Sequence, residues 1–101
     1  MISEPLPVDV NTVTIQSAGQ AFIIVKWTKP AGTLADAYNV SLTGDAGTAT
    51  VSSDVVAFSA AEPFVHVTNI RPGQTVTVRV TVVSHDKSSR PVDKSYTRRE
   101  F

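Results

Sequence analysis

From Gln74 to Ser84 the chain alternates: Val76, Val78, Val80 and Val82 are separated by Thr77, Arg79 and Thr81, with Thr75 before them. A period of two sends successive side chains to opposite faces of an extended backbone, so this run is a strand with one buried face; a helix would scatter the same valines around its circumference. A lone strand is not stable in water, and the rest of the chain must supply partners with the same habit. It does so in several places. Ile23, Val25 and Trp27 alternate with Ile24 and Lys26 within Phe22 to Thr28, leaving Ile24 as an outward apolar residue. Tyr38, Val40 and Leu42 alternate with Asn39, Ser41 and Thr43, and Val65 and Val67 with His66 and Thr68. Sixteen valines and twelve threonines, against three leucines and one methionine, suit a pleated, half-buried surface better than a helix.

Weaker strand signals lie at Val10 to Gln16, Thr48 to Ser52 and Pro91 to Thr97, for seven strands in all. Turn residues separate them at Ser17 to Gln20, Lys29-Pro30-Ala31-Gly32, Gly44 to Gly47 and Arg71-Pro72-Gly73. Seven short strands punctuated this often predict an all-β, seven-stranded antiparallel sandwich of two sheets. The 101 residues are enough for one core. The domain is expected over 8–98, with linkers at 1–7 and 99–101. Cysteine is absent, which removes thiolate chemistry and disulfides. The longest apolar run, Ala21 to Val25, has five residues, far below the roughly 20 that span a bilayer as a helix.

Particular residues carry a resemblance to the fibronectin type III domain. They are Val25-Lys26-Trp27-Thr28-Lys29-Pro30, then Tyr38-Asn39-Val40-Ser41-Leu42, then Val67-Thr68-Asn69-Ile70-Arg71-Pro72-Gly73-Gln74-Thr75-Val76 leading into the longest strand. The resemblance implies an immunoglobulin-like sandwich with strands A, B and E in one sheet and C, C′, F and G in the other. Its core would be built on Trp27, Tyr38, Ile70, Val76 and Val78. The family usually has Tyr at the position of Val76, its hydroxyl bonded back onto the preceding turn. Here that bond cannot form, so the corner is expected to rely on Pro72 and Gly73 and to be less rigid. Trp27 to Gly32, with Asp36-Ala37-Tyr38 and Val83-Ser84 before Ser88-Ser89-Arg90-Pro91, further resembles the repeats of receptor-type tyrosine phosphatase ectodomains.

No catalytic constellation is legible. His66 falls on an outward strand face and His85 in a loop, and neither has a nucleophile and carboxylate at a recognisable spacing. Asp86 beside His85 lacks a third metal ligand at suitable spacing. Gly44-Asp45-Ala46-Gly47 reads as a turn, with no helix after it to cradle a phosphate. The expectation is no catalytic residue, no metal and no cofactor. Asn39-Val40-Ser41 is an N-glycosylation sequon whose Asn39 faces outward. Phe58 and Phe64 read as core or inter-strand packing.

Nine Lys and Arg balance nine Asp and Glu, which argues against a nucleic-acid binder. The balance is uneven along the chain. Residues 1–62 hold six carboxylates against two lysines, and residues 63–101 hold seven cations against three carboxylates. Arg79, Lys94 and Arg98 are expected to share one outer face, with His85, Lys87 and Arg90 at its end. Arg79, His85, Lys87, Arg90 and Lys94 thus form the candidate interaction surface, polyanions being a minor candidate ligand, and the competing use of these charges is to protect an edge strand.

The resemblance implies a non-catalytic extracellular module of a larger cell-surface receptor or adhesion protein, a spacer and protein-interaction domain of a glycoprotein. Its partners would be other proteins or neighbouring repeats, without nucleic acid or direct membrane contact. Any catalysis, such as a tyrosine phosphatase, would reside in another domain. The rival reading is an accessory spacer of a bacterial secreted enzyme or phage structural protein.

Overall fold

The computed structural model describes residues 5–19, 21–43, 47–85 and 87–99. Among these, the alternating segments form β1 (Thr14–Gly19), β2 (Phe22–Lys26), β3 (Ala37–Thr43), β4 (Thr50–Val51), β5 (Val55–Ala57), β6 (Phe64–Thr68), β7 (Thr75–Ser84), β8 (Lys87–Ser88) and β9 (Val92–Thr97). One sheet has the order β1-β2-β6-β4; the other runs β5-β3-β7-β8, with β9 also paired to β7. All pairings are antiparallel. The inner faces of the two sheets close on one apolar core that includes Ile23, Val25, Trp27, Tyr38, Val40, Val65, Val67, Ile70, Val76, Val78, Val80 and Val82. The alternation in β7 is visible directly: Val76, Val78, Val80 and Val82 are buried and the residues between them are not.

Trp27 and Tyr38 meet edge to face at the centre, ring centroids 5.3 Å apart, and Tyr38 stacks at a tilt on Phe58 at 5.2 Å. Lys29 Nζ caps this row 5.0 Å from the Phe58 ring, a cation on the negative face of an aromatic quadrupole. Neither Trp27 Nε1 nor the Tyr38 hydroxyl has a hydrogen-bond partner, although both are buried. Burial pushes the Tyr38 phenol pKa up; the nearby indole opposes this more weakly without completing a hydrogen bond.

Local chemistry shifts some boundaries. Val10–Thr12, expected to open the first strand, is a 3-10 turn. Asp9 causes it: its Oδ1 accepts from the Asn11 amide at 2.9 Å and its carbonyl from Thr12 Oγ1 at 2.7 Å, an N-cap that diverts the backbone from extension. The segment expected at Thr48 to Ser52 is only Thr50–Val51, held on β6 by the Thr50–Thr68 hydroxyl pair at 3.0 Å. Val55–Ala57 is the short strand beside β3 instead. Within 1–7, read as linker, Pro5 is buried and the Leu6 amide donates to Thr33 Oγ1 at 3.2 Å, so residues 5–7 lie on the domain. Of 99–101 only Arg99 is described, and it is exposed.

The corner between β6 and β7 has more support than Pro72 and Gly73. Gln74 Oε1 accepts from the Arg71 amide at 2.8 Å, and Arg98 Nη1 donates to the Ile70 carbonyl at 2.6 Å. Gly73 adopts φ of 79°, where a side chain would be strained.

Candidate interaction surfaces

The basic face expected on the second sheet does not assemble, because the register of β9 on β7 decides which side chains share a side. Arg79 lies opposite Asp93, and Lys94 lies opposite buried Val78. Directly paired residues point to the same side of a sheet, so Lys94 is half-buried on the inward side with Val92 and Tyr96 rather than beside Arg79. Arg98 has the same parity and is engaged at the Ile70 carbonyl. The Arg79 guanidinium makes a two-pronged contact with Asp93, Nε to Oδ1 at 2.8 Å and Nη2 to Oδ2 at 3.0 Å. That contact holds the Asp93 carboxyl below its usual pKa and raises that of Arg79. The outer face therefore carries a neutralised pair where a cationic field was expected.

His85, Lys87 and Arg90 remain exposed at the end of β7. His85 has φ of 50° in the tight turn between β7 and β8, and its amide donates to Asp36 Oδ2 at 2.7 Å. A carboxylate thus pins the turn through its backbone. Asp86 and residues 44–46 lie outside the described residues. Among the described residues no group of three or more His, Cys, Asp or Glu is placed to hold a metal ion.

Asn39 is exposed on the outer face of β3, opposite Thr81, and Ser41 on the same face lies opposite Arg79. A glycan there would cover the Arg79–Asp93 pair.

The opposite outer face, on the first sheet, went unrecognised at the sequence level. Its pairings set Thr14 against Lys26 and Lys26 against Phe64, then Gln16 against Ile24 and Ile24 against His66. Phe64 is 48% exposed. The His66 ring sits between Phe22 and Phe64, at centroid distances of 4.9 and 5.3 Å. A cleft of about 620 Å³ opens beside them, bounded by Thr12, Thr14, Lys26, Glu62, Phe64 and His66. The sequence signal was the parity of Phe64: Val65 and Val67 face inward, so Phe64 and His66 must face outward beside Ile24.

Two facing antiparallel sheets around a central indole define an immunoglobulin-like sandwich. The sequence model of the fibronectin type III domain matches residues 7–95, and the chain belongs to that family. Its domains are generally non-catalytic parts of larger proteins. No curated protein sequence matches the chain significantly. Among solved structures, a computationally redesigned β-sandwich protein superposes with a TM-score of 0.69 at 17% identity, covering 100% of this chain and 94% of that one. The fibronectin type III domain of human fibronectin type III domain containing protein 3 gives a TM-score of 0.63 at 17% identity, over 100% and 92% of the two chains. The twitchin kinase region from C. elegans gives 0.64 at 16% identity, over 97% of this chain and 17% of that one.

Proposed function

We propose that this chain is a non-catalytic module of a larger cell-surface or secreted protein, spacing its neighbours and docking other proteins through its outside. The placement of Leu6 and Arg98, near the two ends of the described residues, supports the spacing role. Leu6 is bonded to Thr33 in the loop before β3, and that loop meets the far end of β7 through the Asp36 amide and the Val83 carbonyl at 2.8 Å. Arg98 is bonded to Gln74 and Gly73, at the near end of β7. The ten residues of β7 lie between, a separation of about 33 Å at ~3.3 Å per residue. Successive copies joined end to end would extend into a rod. Two copies linked in tandem should lengthen by about that amount over one copy in small-angle scattering; a folded pair no longer than a single copy would remove the spacing role.

The extracellular part of this reading rests on the exposed Asn39 sequon. Secretion from animal cells should add a glycan mass that Asn39→Gln abolishes. Secreted protein without that mass favours the rival role, an accessory spacer of a bacterial enzyme or phage structural protein. A parent of the receptor tyrosine phosphatase type rests only on the likeness of Trp27 to Gly32, Asp36 to Tyr38, and Val83-Ser84 before Ser88 to Pro91 to the repeats of that family.

A further inference from the structure

Each sheet edge carries a row of backbone groups that a further strand would satisfy, and proteins commonly blunt such edges with charge, shortness or proline. Here β9 carries Asp93 and Lys94, β5 has three residues and β4 has two. β1 differs: it has six residues, Thr-Ile-Gln-Ser-Ala-Gly, with no charge and no proline, and only β2 pairs with it among the described residues. Its register is regular from Thr14 to Ser17 and shifts only between Ser17 and Gly19. An edge of that length and composition is a template for one more strand.

The side chains next to the edge say which strand. In the row nearest the cleft, Thr14 on β1 is followed by Lys26 on β2 and then Phe64 on β6. Lys26 is exposed, and among the described residues the only salt bridge is that of Arg79 with Asp93. Glu62, which borders the same cleft, precedes Phe64 on the far side of that row. A segment added beyond β1 therefore lies beside Thr14, and the first charged group inward of it is the Lys26 ammonium, which has no salt-bridge partner among the described residues. A second copy of this chain would not answer it, because its own β1 carries no carboxylate. Four regular residues of strand pairing are also short of the roughly 800 Å² per partner that a stable dimer buries.

We propose that the free edge of β1 takes an extended segment of a partner protein as an added antiparallel strand, with an acidic side chain of that segment pairing with Lys26. The inference rests on the docking role proposed above and names its partner's chemistry. Main-chain hydrogen bonds supply the contact, and the single ion pair selects the segment.

The test uses the whole chain labelled with ¹⁵N and a capped peptide, acetyl-Thr-Val-Thr-Glu-Thr-Val-amide. Addition of the peptide should shift the amides of Thr14 to Ser17 and slow their hydrogen exchange. A Lys-for-Glu peptide should bind two- to fivefold more weakly at low salt, the range expected of an exposed pair, and Lys26→Glu should invert that ranking. A peptide N-methylated at alternate residues, which keeps the carboxylate but loses the strand donors, should give no protection at β1. Shifts confined to Phe64 and His66 or to Lys87 and Arg90, an unchanged ranking in Lys26→Glu, or no binding at millimolar peptide would each overturn the proposal. So would self-association through β1 in the absence of peptide. The tandem scattering experiment is independent of all these outcomes, so loss of the peptide site leaves the spacing role standing.

Discussion

The guanidinium of Arg98 donates to the carbonyl oxygen of Ile70 at 2.6 Å, from 28 residues further along the chain. Ile70 is buried at the start of the corner that precedes β7, and this is the corner whose usual tyrosine is replaced by Val76. Val76 fills core volume but has no hydroxyl to bond backwards, and the cation from the end of β9 closes the corner in its place. Arg98→Ala should therefore leave a partly buried carbonyl without its donor and cost about 1–3 kcal/mol, read as a lower urea midpoint. A midpoint unchanged from wild type would show that Pro72, Gly73 and Gln74 hold the corner by themselves.

The central aromatic pair separates volume from polarity. Trp27→Ala should cost about 3–5 kcal/mol because it empties the middle of the core. Tyr38→Phe should be neutral to within about 0.5 kcal/mol, since the hydroxyl it removes is buried without a partner. A clear loss of stability in Tyr38→Phe would reveal a bound water or another acceptor at that hydroxyl.

Acid should weaken the second sheet through Asp93. Its carboxyl pKa is depressed in the folded state, first by the hydrogen bonds from Arg79, so the pair's contribution is fully present above the ordinary value of 3.8. That contribution fades as pH falls through the lower folded value. The difference in urea midpoint between wild type and Asp93→Asn should accordingly be greatest near neutrality and shrink below that ordinary value. Added salt should shrink it too, because the pair is exposed.

The turn between β7 and β8 should loosen without Asp36. Its carboxylate accepts the His85 amide, whereas the Asp36 backbone has separate bonds to Val83 and Phe58. Asp36→Ala should speed hydrogen exchange at His85 by several-fold while leaving the amides of β3 protected. Faster exchange throughout β3 would mean that the side chain supports the sheet as well as the turn.

Much of this architecture was legible because burial in a strand is local and periodic. Val76 to Val82, Ile23 to Trp27 and Tyr38 to Leu42 each declare an inner face by alternation alone, and the sandwich follows from pairing those faces. The same rule extends to β9 and β6. Lys94 shares its parity with Val92 and Tyr96, and Phe64 opposes that of Val65, so the inward lysine and the outward phenylalanine were both available from period two.

The sequence by itself settled that β2, β3, β6 and β7 extend, which of their faces are apolar and, through the corner residues, which family they resemble. Only the tertiary structure decided that Arg79 meets Asp93, that Arg98 reaches Ile70, that Thr50–Val51 joins β6 while Val55–Ala57 joins β3, and that among the described residues β1 pairs with β2 alone. The division has one physical cause. Alternation reflects the geometry of each residue and its immediate neighbours, whereas register and edge exposure arise from contacts between segments far apart in the chain, chosen by how all the strands pack at once.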